Sequence, residues 1–214
     1  MNARERIARR AAGYFVAGDV VNLGIGIPSL CSDYAPPDVM FHTENGLIGM
    51  GPLCSGMLAV ESFSNATAMR FTPVPGASVL DSAQSFALVR SGKLAASVLG
   101  GLQVAENGDL ANWAQPGRVF GMGGAMDLVN GARKVIITME LCTKKGDPKI
   151  VRSCSYPLTG KHCVDHIVTE QCVIDVTGDG LMLVELLEGV TPDDIQRQVE
   201  PELIVAEHLS VMQS

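Results

Sequence analysis

The segment VVNLGIGIP, residues 20–28, is a run of apolar and β-branched residues that breaks into glycines and a proline. A run of this kind predicts a buried strand followed by a tight turn. Residues 29–34, which come next, can form a short helix. They are followed by VMFHT, residues 39–43, a second apolar run that predicts another buried strand. A strand, a helix and another strand in this order are typical of an α/β fold.

The same alternation continues through the front two-thirds of the chain. The following elements are expected there: a helix over residues 3–17, a helix capped by Asp81 that ends near Gly92, a strand at residues 94–100, a glycine-rich loop leading into a helix at residues 121–132, and a strand at residues 134–139. Because strands alternate with helices, we expect one α/β domain over residues 1–214 with a largely parallel central sheet.

The remaining regions have a different character. Residues 45–76 carry Gly and Pro throughout, and we expect a long irregular loop of the functional kind. Asn107-Gly108 is the turn pair of a β-hairpin over residues 103–113. The final third is expected to hold strands at residues 164–168, 173–176, 181–187 and 203–206, with a helix beginning at Thr191-Pro192.

Composition narrows the classes of function. The chain has 214 residues, 47% of them hydrophobic, and a net charge of −7, which disfavours a nucleic-acid partner. No stretch approaches the roughly 20 apolar residues of a membrane span, and the N-terminus lacks a signal peptide pattern. The six cysteines form no CxxC pair, which predicts reduced thiols in a cytoplasmic protein. His162, Cys163 and His166 lack a second metal-binding half, so we expect no metal site.

Three glycine-bearing turns are candidates for ligand binding. They contain Gly24 and Gly26, then Gly46, Gly49 and Gly51, and lastly Gly121, Gly123 and Gly124. Ligands of open α/β sheets collect outside the carboxyl ends of strands, and glycines let a backbone approach a ligand closely. The first turn matches a dinucleotide-binding fingerprint only in part, because its third glycine is missing. For any single one of these glycines, a tight turn without a ligand is the favoured interpretation.

Glu44 occupies an unusual setting at the end of the second predicted strand, on a turn formed with Asn45 and Gly46. A carboxylate held there is open to a substrate and could act as a general base, a metal ligand or a nucleophile. It could equally be a solvated loop acid bonded to nearby amides. A mechanism with paired carboxylates would need a second acid, and no spacing selects one from the candidates Glu61, Glu106 and Asp127.

Several long motifs together resemble a known family. They are VNLGIGIP (21–28), HTENGLIGMGP (42–52), PGAS (75–78), LGGLQVAENGDLANW (99–113), GMGGAMDLV (121–129) and IVTE (167–170). In this order they are similar to the β subunit of family I, 3-oxoacid type CoA-transferases, and the resemblance covers essentially the whole chain. It implies the α/β fold of the NagB/RpiA/CoA-transferase type, with a largely parallel sheet flanked by helices.

The resemblance also implies roles for individual residues. The glutamate of the family's S-E-N-G motif falls on Glu44, which would attack an acyl-CoA and pass through a glutamyl-CoA thioester. The site residues that it implies are Gly123, Gly124 and Ala125 as the oxyanion loop, Asn22 as a group holding Glu44 or the thioester, and Gly24, Gly26, Asn45 and Gly46 near CoA. Coenzyme A would be a substrate, and no tightly bound cofactor is implied.

Two positions depart from the family pattern. Thr43 stands where the family usually has serine, and both residues carry a hydroxyl. Ala68 follows Asn65-Ala66-Thr67, where many members have lysine or glycine at the last position. Since alanine cannot replace a lysine near CoA or the substrate, succinyl-CoA specificity does not carry over directly. A short-chain monocarboxylate is therefore the expected partner of a 3-oxoacid such as acetoacetate.

The family further implies a homologous α subunit that completes the active site, usually in an α2β2 assembly. A different class of function is a non-catalytic metabolite-sensing module on the same fold. The intact ENG segment, residues 44–46, and the glycine loop at residues 121–124 argue against that class. A sugar-phosphate isomerase or deaminase would need a phosphate-binding turn rich in Ser, Thr and Lys, which the sequence lacks.

Overall fold

Helices and strands alternate along the chain in the computed structural model, which describes residues 1–53 and 70–213. The helices are α1 Ala3–Ala12, α2 Ser82–Arg90, α3 Ala125–Gly131 and α4 Pro192–Gln196, with a 3₁₀ helix at Pro28–Asp33. The strands are β1 Val20–Leu23, β2 Met40–Thr43, β3 Leu47–Leu53, β4 Phe71–Val79, β5 Ala96–Gly100, β6 Gln103–Ala105, β7 Leu110–Ala111, β8 Ala114–Gln115, β9 Arg118–Val119, β10 Val135–Thr138, β11 Ile150–Val151, β12 His166–Val168, β13 Cys172–Thr177, β14 Gly180–Leu186 and β15 Ile204–Val211.

Ten of these strands form the central sheet, in the order β15-β14-β13-β12-β10-β5-β1-β2-β3-β4. The middle strands from β12 to β2 are all parallel, whereas β2–β3, β3–β4, β12–β13 and β13–β14 are antiparallel. The predicted α/β fold with a parallel centre is therefore confirmed, and the antiparallel pairs belong to the flanks. Because the middle strands are parallel, their carboxyl ends meet at one edge of the sheet.

Helices cover both faces of this sheet, and consecutive residues of a strand face opposite sides. On β10, Ile136 belongs to the core that includes Ile7 of α1, a side called here the α1 face. Its neighbour Ile137 belongs to the other core, with Val89 of α2 and Val129 of α3, called here the α2–α3 face. Both isoleucines are fully buried, and burial on both faces is the reason why the parallel strands are largely apolar.

The first helix is shorter than the predicted range of residues 3–17. Asn2 and Glu5 form a capping box at its start, but α1 ends at Ala12, and the N–H of Gly13 bonds to the Arg10 carbonyl at 3.1 Å. Glycine is a poor helix former, so Gly13 rather than Gly18 ends the helix. Phe15 is nevertheless buried, which is why the apolar spacing extended the prediction too far.

The prediction of one irregular loop over residues 45–76 is wrong at both ends. Leu47–Leu53 forms β3 and Phe71–Val79 forms β4, two antiparallel strands that extend the sheet beyond β2. β4 tolerates Pro73 and Pro75 because it is the outermost strand, where a missing N–H does not break a ladder on both sides. Residues 54–69, with Glu61 and Ala68, lie outside the described residues.

The other local predictions agree with the structure. The hairpin at Asn107-Gly108 joins β6 to β7, Asp81 caps α2, and Thr191 caps α4. The last strand, β15, is longer than residues 203–206 and runs to Val211. None of the helices within residues 1–53 and 70–213 is long and apolar enough to cross a membrane.

Candidate active site

Glu44 directly follows β2, at the edge of the sheet where the parallel strands end. Its turn is closed by a bond from the Gly46 N–H to the Thr43 carbonyl at 3.0 Å. Gly46 has a φ of +117°, and a Cβ there would run into the Leu80 carbonyl oxygen, so only glycine fits this position. The Thr43 hydroxyl accepts the Leu47 N–H at 3.2 Å, a bond that a serine hydroxyl could also accept.

The glycine loop before α3 meets the Glu44 carboxylate. The backbone N–H of Gly124 donates to this carboxylate, and a Cβ on Gly124 would lie 2.5 Å from Oε2 of Glu44 and 2.7 Å from the Phe86 ring. Gly123 has a φ of +52°, a left-handed conformation that favours glycine. The glycines therefore bring a backbone donor against the carboxylate with no side chain between them.

Burial raises the pKa of Glu44, and the hydrogen bond from the Gly124 N–H opposes this rise with a smaller effect. Desolvation disfavours the charged carboxylate, whereas a donor aimed at its oxygen favours it. The carboxylate is thus partly stripped of water and retains one fixed donor. Such a carboxylate is a stronger nucleophile than a fully hydrated one.

Asn22 does not contact Glu44 but is linked to it through two buried side chains. The Asn22 amide lies 3.1 Å from Nδ1 of His42, whose Nε2 lies 2.9 Å from the Ser85 hydroxyl. The Ser85 hydroxyl donates to the backbone carbonyl of Glu44 at 2.9 Å. Burial lowers the pKa of His42 to about 4, so its imidazole is neutral at physiological pH.

A cavity of about 960 Å³ lies at this edge of the sheet and includes Glu44 in its lining. Its charged lining also includes Glu140, Lys144 and Lys149, near the end of β10. Because β5 and β1 separate β10 from β2, the ends of β10 and β2 lie roughly 14 Å apart along the sheet edge. Burial lowers the pKa of Lys149, and the carboxylates of Glu140 and Glu170 oppose this effect.

The structure brings together part of the set of residues predicted from the sequence. The predicted residues that line the cavity are Asn22, Gly24, Glu44, Gly123, Gly124 and Ala125. Gly26, Asn45 and Gly46 are not in its described lining. Gly46 instead shapes the turn that carries Glu44, as its contact with Leu80 indicates.

The two candidate second acids that lie within the described residues, Asp127 and Glu106, do not join Glu44. Asp127 pairs with Arg90 at 2.6 Å, and Glu106 is exposed and absent from the cavity lining. His162 and His166 also have separate partners, because His162 contacts the Asn107 carbonyl and His166 contacts Asp175. Within the described ranges, no group of three or more His, Cys, Asp or Glu side chains could hold a metal ion.

Sequence reasoning missed four groups at the site. Ser85 and Phe86 lie more than 40 residues from Glu44, and only the folded position of α2 brings Ser85 to the Glu44 backbone and Phe86 to Gly124. The position of His42 inside an apolar strand was the available signal of a buried polar role. Lys149 carried no signal, since nothing in its local sequence points towards the cavity.

The family model for coenzyme A transferases matches residues 4–198, and the chain belongs to this family. Over 216 residues it is 47% identical to the mitochondrial succinyl-CoA:3-ketoacid coenzyme A transferase 2B of Mus musculus, a match that covers 99% of the chain and 42% of the mouse protein. The chain therefore spans less than half the length of that relative.

A second relative has a similar length. The chain is 45% identical over 213 residues to the acetate CoA-transferase subunit beta of Escherichia coli K12, which covers 98% of the chain and 97% of that subunit. Among solved structures, an acyl-CoA transferase of Escherichia coli O157:H7 in a thioester complex with CoA superposes with a TM-score of 0.80. That match has 21% identity and covers the whole chain and 43% of the other, which supports the shared fold.

Proposed function

We propose that this chain is the β subunit of a CoA-transferase, which moves CoA between an acyl-CoA and a free carboxylate, with Glu44 as the nucleophile. The observation that carries the proposal is the half-buried Glu44 carboxylate, which lines a cavity of about 960 Å³ and accepts the Gly124 N–H. Membership of the coenzyme A transferase family supports the reaction class.

The reaction begins when a Glu44 oxygen attacks the thioester carbonyl of the donor and expels the CoA thiolate. The product is a mixed anhydride of the acyl group and Glu44. The thiolate then attacks the Glu44 carbonyl carbon, the donor carboxylate leaves, and Glu44 carries CoA as a thioester. A carboxylate ionised at neutral pH needs no general base for these steps.

The second half reverses these steps with a different acid. The acceptor carboxylate attacks the glutamyl thioester, expels the thiolate and forms a new anhydride. The thiolate then attacks the acyl carbonyl of that anhydride, which yields the new acyl-CoA and restores the Glu44 carboxylate. Protons balance throughout, because every nucleophile and every leaving group is an anion.

The Gly124 N–H has a specific part in this scheme. Two of the four attacks occur at the Glu44 carbonyl carbon, so negative charge develops on an oxygen of the Glu44 side chain. The donor that binds this carboxylate in the resting protein is then in place to stabilise that oxyanion. Loss of one such donor costs about 2.7 to 4 kcal/mol of transition-state stabilisation. Gly123 and Ala125 support this loop.

We assign a 3-oxoacid such as acetoacetate as one acid and a short-chain monocarboxylate as the other. The mouse relative is named for a 3-ketoacid and the bacterial relative for acetate, which supports this choice. Both acids and CoA are anions, and Lys144 and Lys149 supply positive charge in the cavity lining. We assign no bound cofactor, no metal and no nucleic-acid partner.

A homologous α subunit completes the site, in an α2β2 assembly within the cytoplasm. The bacterial relative is itself a β subunit, and the mouse relative is more than twice as long as this chain, as expected if it contains both halves. The five described cysteines are free thiols, which fits a reducing compartment. We expect the isolated chain to have no transferase activity.

Mass spectrometry of the Glu44 peptide tests the proposal. The chain is combined with a CoA-transferase α subunit, incubated with acetoacetyl-CoA, and digested. We expect CoA attached to the peptide that contains Glu44, and borohydride, which reduces thioesters, should trap it and abolish activity. Absence of any adduct, together with full activity of the Glu44→Gln variant, would contradict the proposal. A chain that binds acyl-CoA without forming the adduct would instead be a metabolite-sensing module.

A further inference from the structure

A continuous row of hydrogen bonds runs from Asn22 to the backbone of Glu44. The Asn22 amide nitrogen lies 3.1 Å from Nδ1 of His42 and donates to the His42 carbonyl, also at 3.1 Å. Nε2 of His42 lies 2.9 Å from the Ser85 hydroxyl, which donates to the Glu44 carbonyl at 2.9 Å. Asn22 and His42 are register partners on the parallel strands β1 and β2, and Ser85 lies on α2.

Counting hydrogens fixes the direction of this row. The Glu44 carbonyl can only accept, so the single hydroxyl hydrogen of Ser85 is used there. The Ser85 oxygen must therefore accept from Nε2 of His42, which carries the imidazole hydrogen. Nδ1 is then bare and accepts from the Asn22 amide, whose second hydrogen goes to the His42 carbonyl. One neutral tautomer of His42 satisfies every group in the row.

The surroundings leave little freedom for another arrangement. Asn22, His42 and Ser85 are 3%, 1% and 0% exposed. A buried polar group without a partner is costly, and a second proton on His42 would set the Nδ1–H against the Asn22 amide donor. The low pKa of His42, which results from burial, is consistent with a ring that stays neutral.

Two adjacent residues of helix α2 contact the two parts of the candidate site, the Glu44 turn and the Gly124 loop. Ser85 bonds the backbone of Glu44, and the Phe86 ring lies so close to Gly124 that an added Cβ would be 2.7 Å from it. The position of the Glu44 turn relative to the Gly124 N–H therefore depends on α2. Loss of the Ser85 bond would remove this link between α2 and the Glu44 backbone, while the Gly124 loop would remain packed against Phe86.

We propose that Asn22, His42 and Ser85 are positioning residues, and that their one-directional row of neutral hydrogen bonds fixes the Glu44 backbone while CoA is attached to and removed from its side chain. This inference rests on the proposed role of Glu44 as the nucleophile. The row acts through the backbone, so it positions Glu44 without placing a charge beside the carboxylate that would shift its pKa. None of the three residues reacts with the substrate.

A first experiment tests the row without any assay of activity. The assembled protein is labelled with ¹⁵N-histidine, and the His42 signal is assigned by comparison with the His42→Gln variant. At neutral pH we expect Nε2 to be protonated and Nδ1 to be bare. A ring protonated at Nδ1, or an even mixture of the two tautomers, would overturn the proposed direction of the row.

A second experiment measures the rate at which the CoA adduct forms on Glu44. We expect Ser85→Ala and His42→Leu to lower this rate and kcat by about 10- to 100-fold, with a much smaller change in KM. His42→Gln should keep most of the rate, because its amide offers an acceptor towards Asn22 and a donor towards Ser85. Asp165→Ala is the control: it removes a 2.7 Å side-chain bond to the Val135 N–H at the opposite edge of the sheet. It should lower stability and leave kcat unchanged.

The outcomes separate this inference from the proposed function. If the parent protein forms the adduct and Ser85→Ala forms it at the parent rate, the positioning role is wrong and the nucleophile stands. If the loss of rate in each variant simply follows its loss of stability, as measured against Asp165→Ala, the row is structural and the inference is also wrong. If the parent protein forms no adduct, both the proposed function and the positioning role are rejected.

Discussion

The two faces of the sheet carry polar networks built around histidines, and the networks differ in charge. On the α2–α3 face, His42 is fully buried and bonded to the neutral side chains of Asn22 and Ser85. On the α1 face, His166 is half-buried, lies 2.6 Å from the Asp175 carboxylate and stacks on Tyr14 at 4.4 Å.

The charged network also contains an ion pair that fastens α1 to the sheet. Arg10 bonds both carboxylate oxygens of Glu185, at 2.5 and 2.6 Å, and lies 4.4 Å over the Tyr14 ring. Charged side chains are tolerated on the α1 face because they remain partly exposed to solvent. Beside Glu44, a fixed charge would change the pKa of its carboxylate, and neutral groups avoid that effect. From this difference we infer that the charged network on the α1 face stabilises the fold, whereas the neutral network on the α2–α3 face positions Glu44.

The largest effect is expected from Gly124→Ala on the site face. A Cβ would lie 2.5 Å from Oε2 of Glu44, so the carboxylate must leave the Gly124 N–H. We expect kcat of the assembled enzyme to fall by about 100- to 1,000-fold, the cost of one oxyanion donor. The matched control is Gly178→Ala, where no atom lies within 4 Å of the added Cβ, and kcat should not change. Similar kcat values for the two variants would refute the role of Gly124.

Arg10→Met, on the α1 face, should lower stability and leave kcat unchanged. The side chains of Arg10 and Glu185 are 15% and 18% exposed, so Glu185 would remain without its partner in a poorly hydrated place. We expect a loss of about 2 kcal/mol in the free energy of unfolding, below the value for a fully buried pair, and an unchanged kcat. Urea denaturation and steady-state kinetics of the assembled enzyme measure the two quantities.

The exposed pair of Arg197 and Asp194 supplies the control for that variant. Its side chains are 69% and 40% exposed, so Arg197→Met should lower the free energy of unfolding far less than Arg10→Met does. A drop in kcat for Arg10→Met as large as that for Gly124→Ala would contradict the claim that the network on the α1 face contributes to stability and not to activity.

The smallest effect is a gain of stability in Glu44→Gln. Burial raises the pKa of Glu44 above its ordinary value of 4.5, so the folded protein favours the protonated acid. Stability is therefore lost as the pH rises through the folded pKa, and at pH 7 the charged Glu44 is destabilising. Glutamine removes the charge and keeps an acceptor for Gly124. The melting temperature should rise at pH 7 and match that of the parent below about pH 4; an equal shift at both values would contradict this account.

The sequence predicted the parts of the fold whose signals are local. Apolar runs gave the parallel strands at the centre of the sheet, and Asp81 and Thr191 marked the caps of α2 and α4. Strands β3 and β4 were missed because their Gly and Pro residues hide the alternation that marks a strand. The end of α1 was misplaced because Phe15 continues the apolar spacing beyond Gly13.

For the site, Glu44 could be selected from the sequence, whereas the residues that hold it in place could not. The glycine turn and the family resemblance both pointed to Glu44, and the structure adds the Gly124 N–H beside it. Ser85 could not be found from local patterns, because its bond to Glu44 joins residues 41 positions apart and exists only after α2 has packed. Asn22 was expected near Glu44 or the thioester, and it reaches Glu44 through His42 and Ser85.

The most direct test of Glu44 as the nucleophile traces the oxygen atoms of the acceptor carboxylate rather than CoA. The assembled enzyme is turned over with acetoacetyl-CoA and an acceptor carboxylate labelled with ¹⁸O in both oxygens, and the mass of the Glu44 peptide is then measured. When the thiolate cleaves the second anhydride at the acyl carbonyl, one acceptor oxygen stays on Glu44. We therefore predict that this peptide gains heavy oxygen with each turnover until both carboxylate oxygens are labelled. Sustained turnover that leaves the peptide unlabelled would contradict Glu44 as the nucleophile.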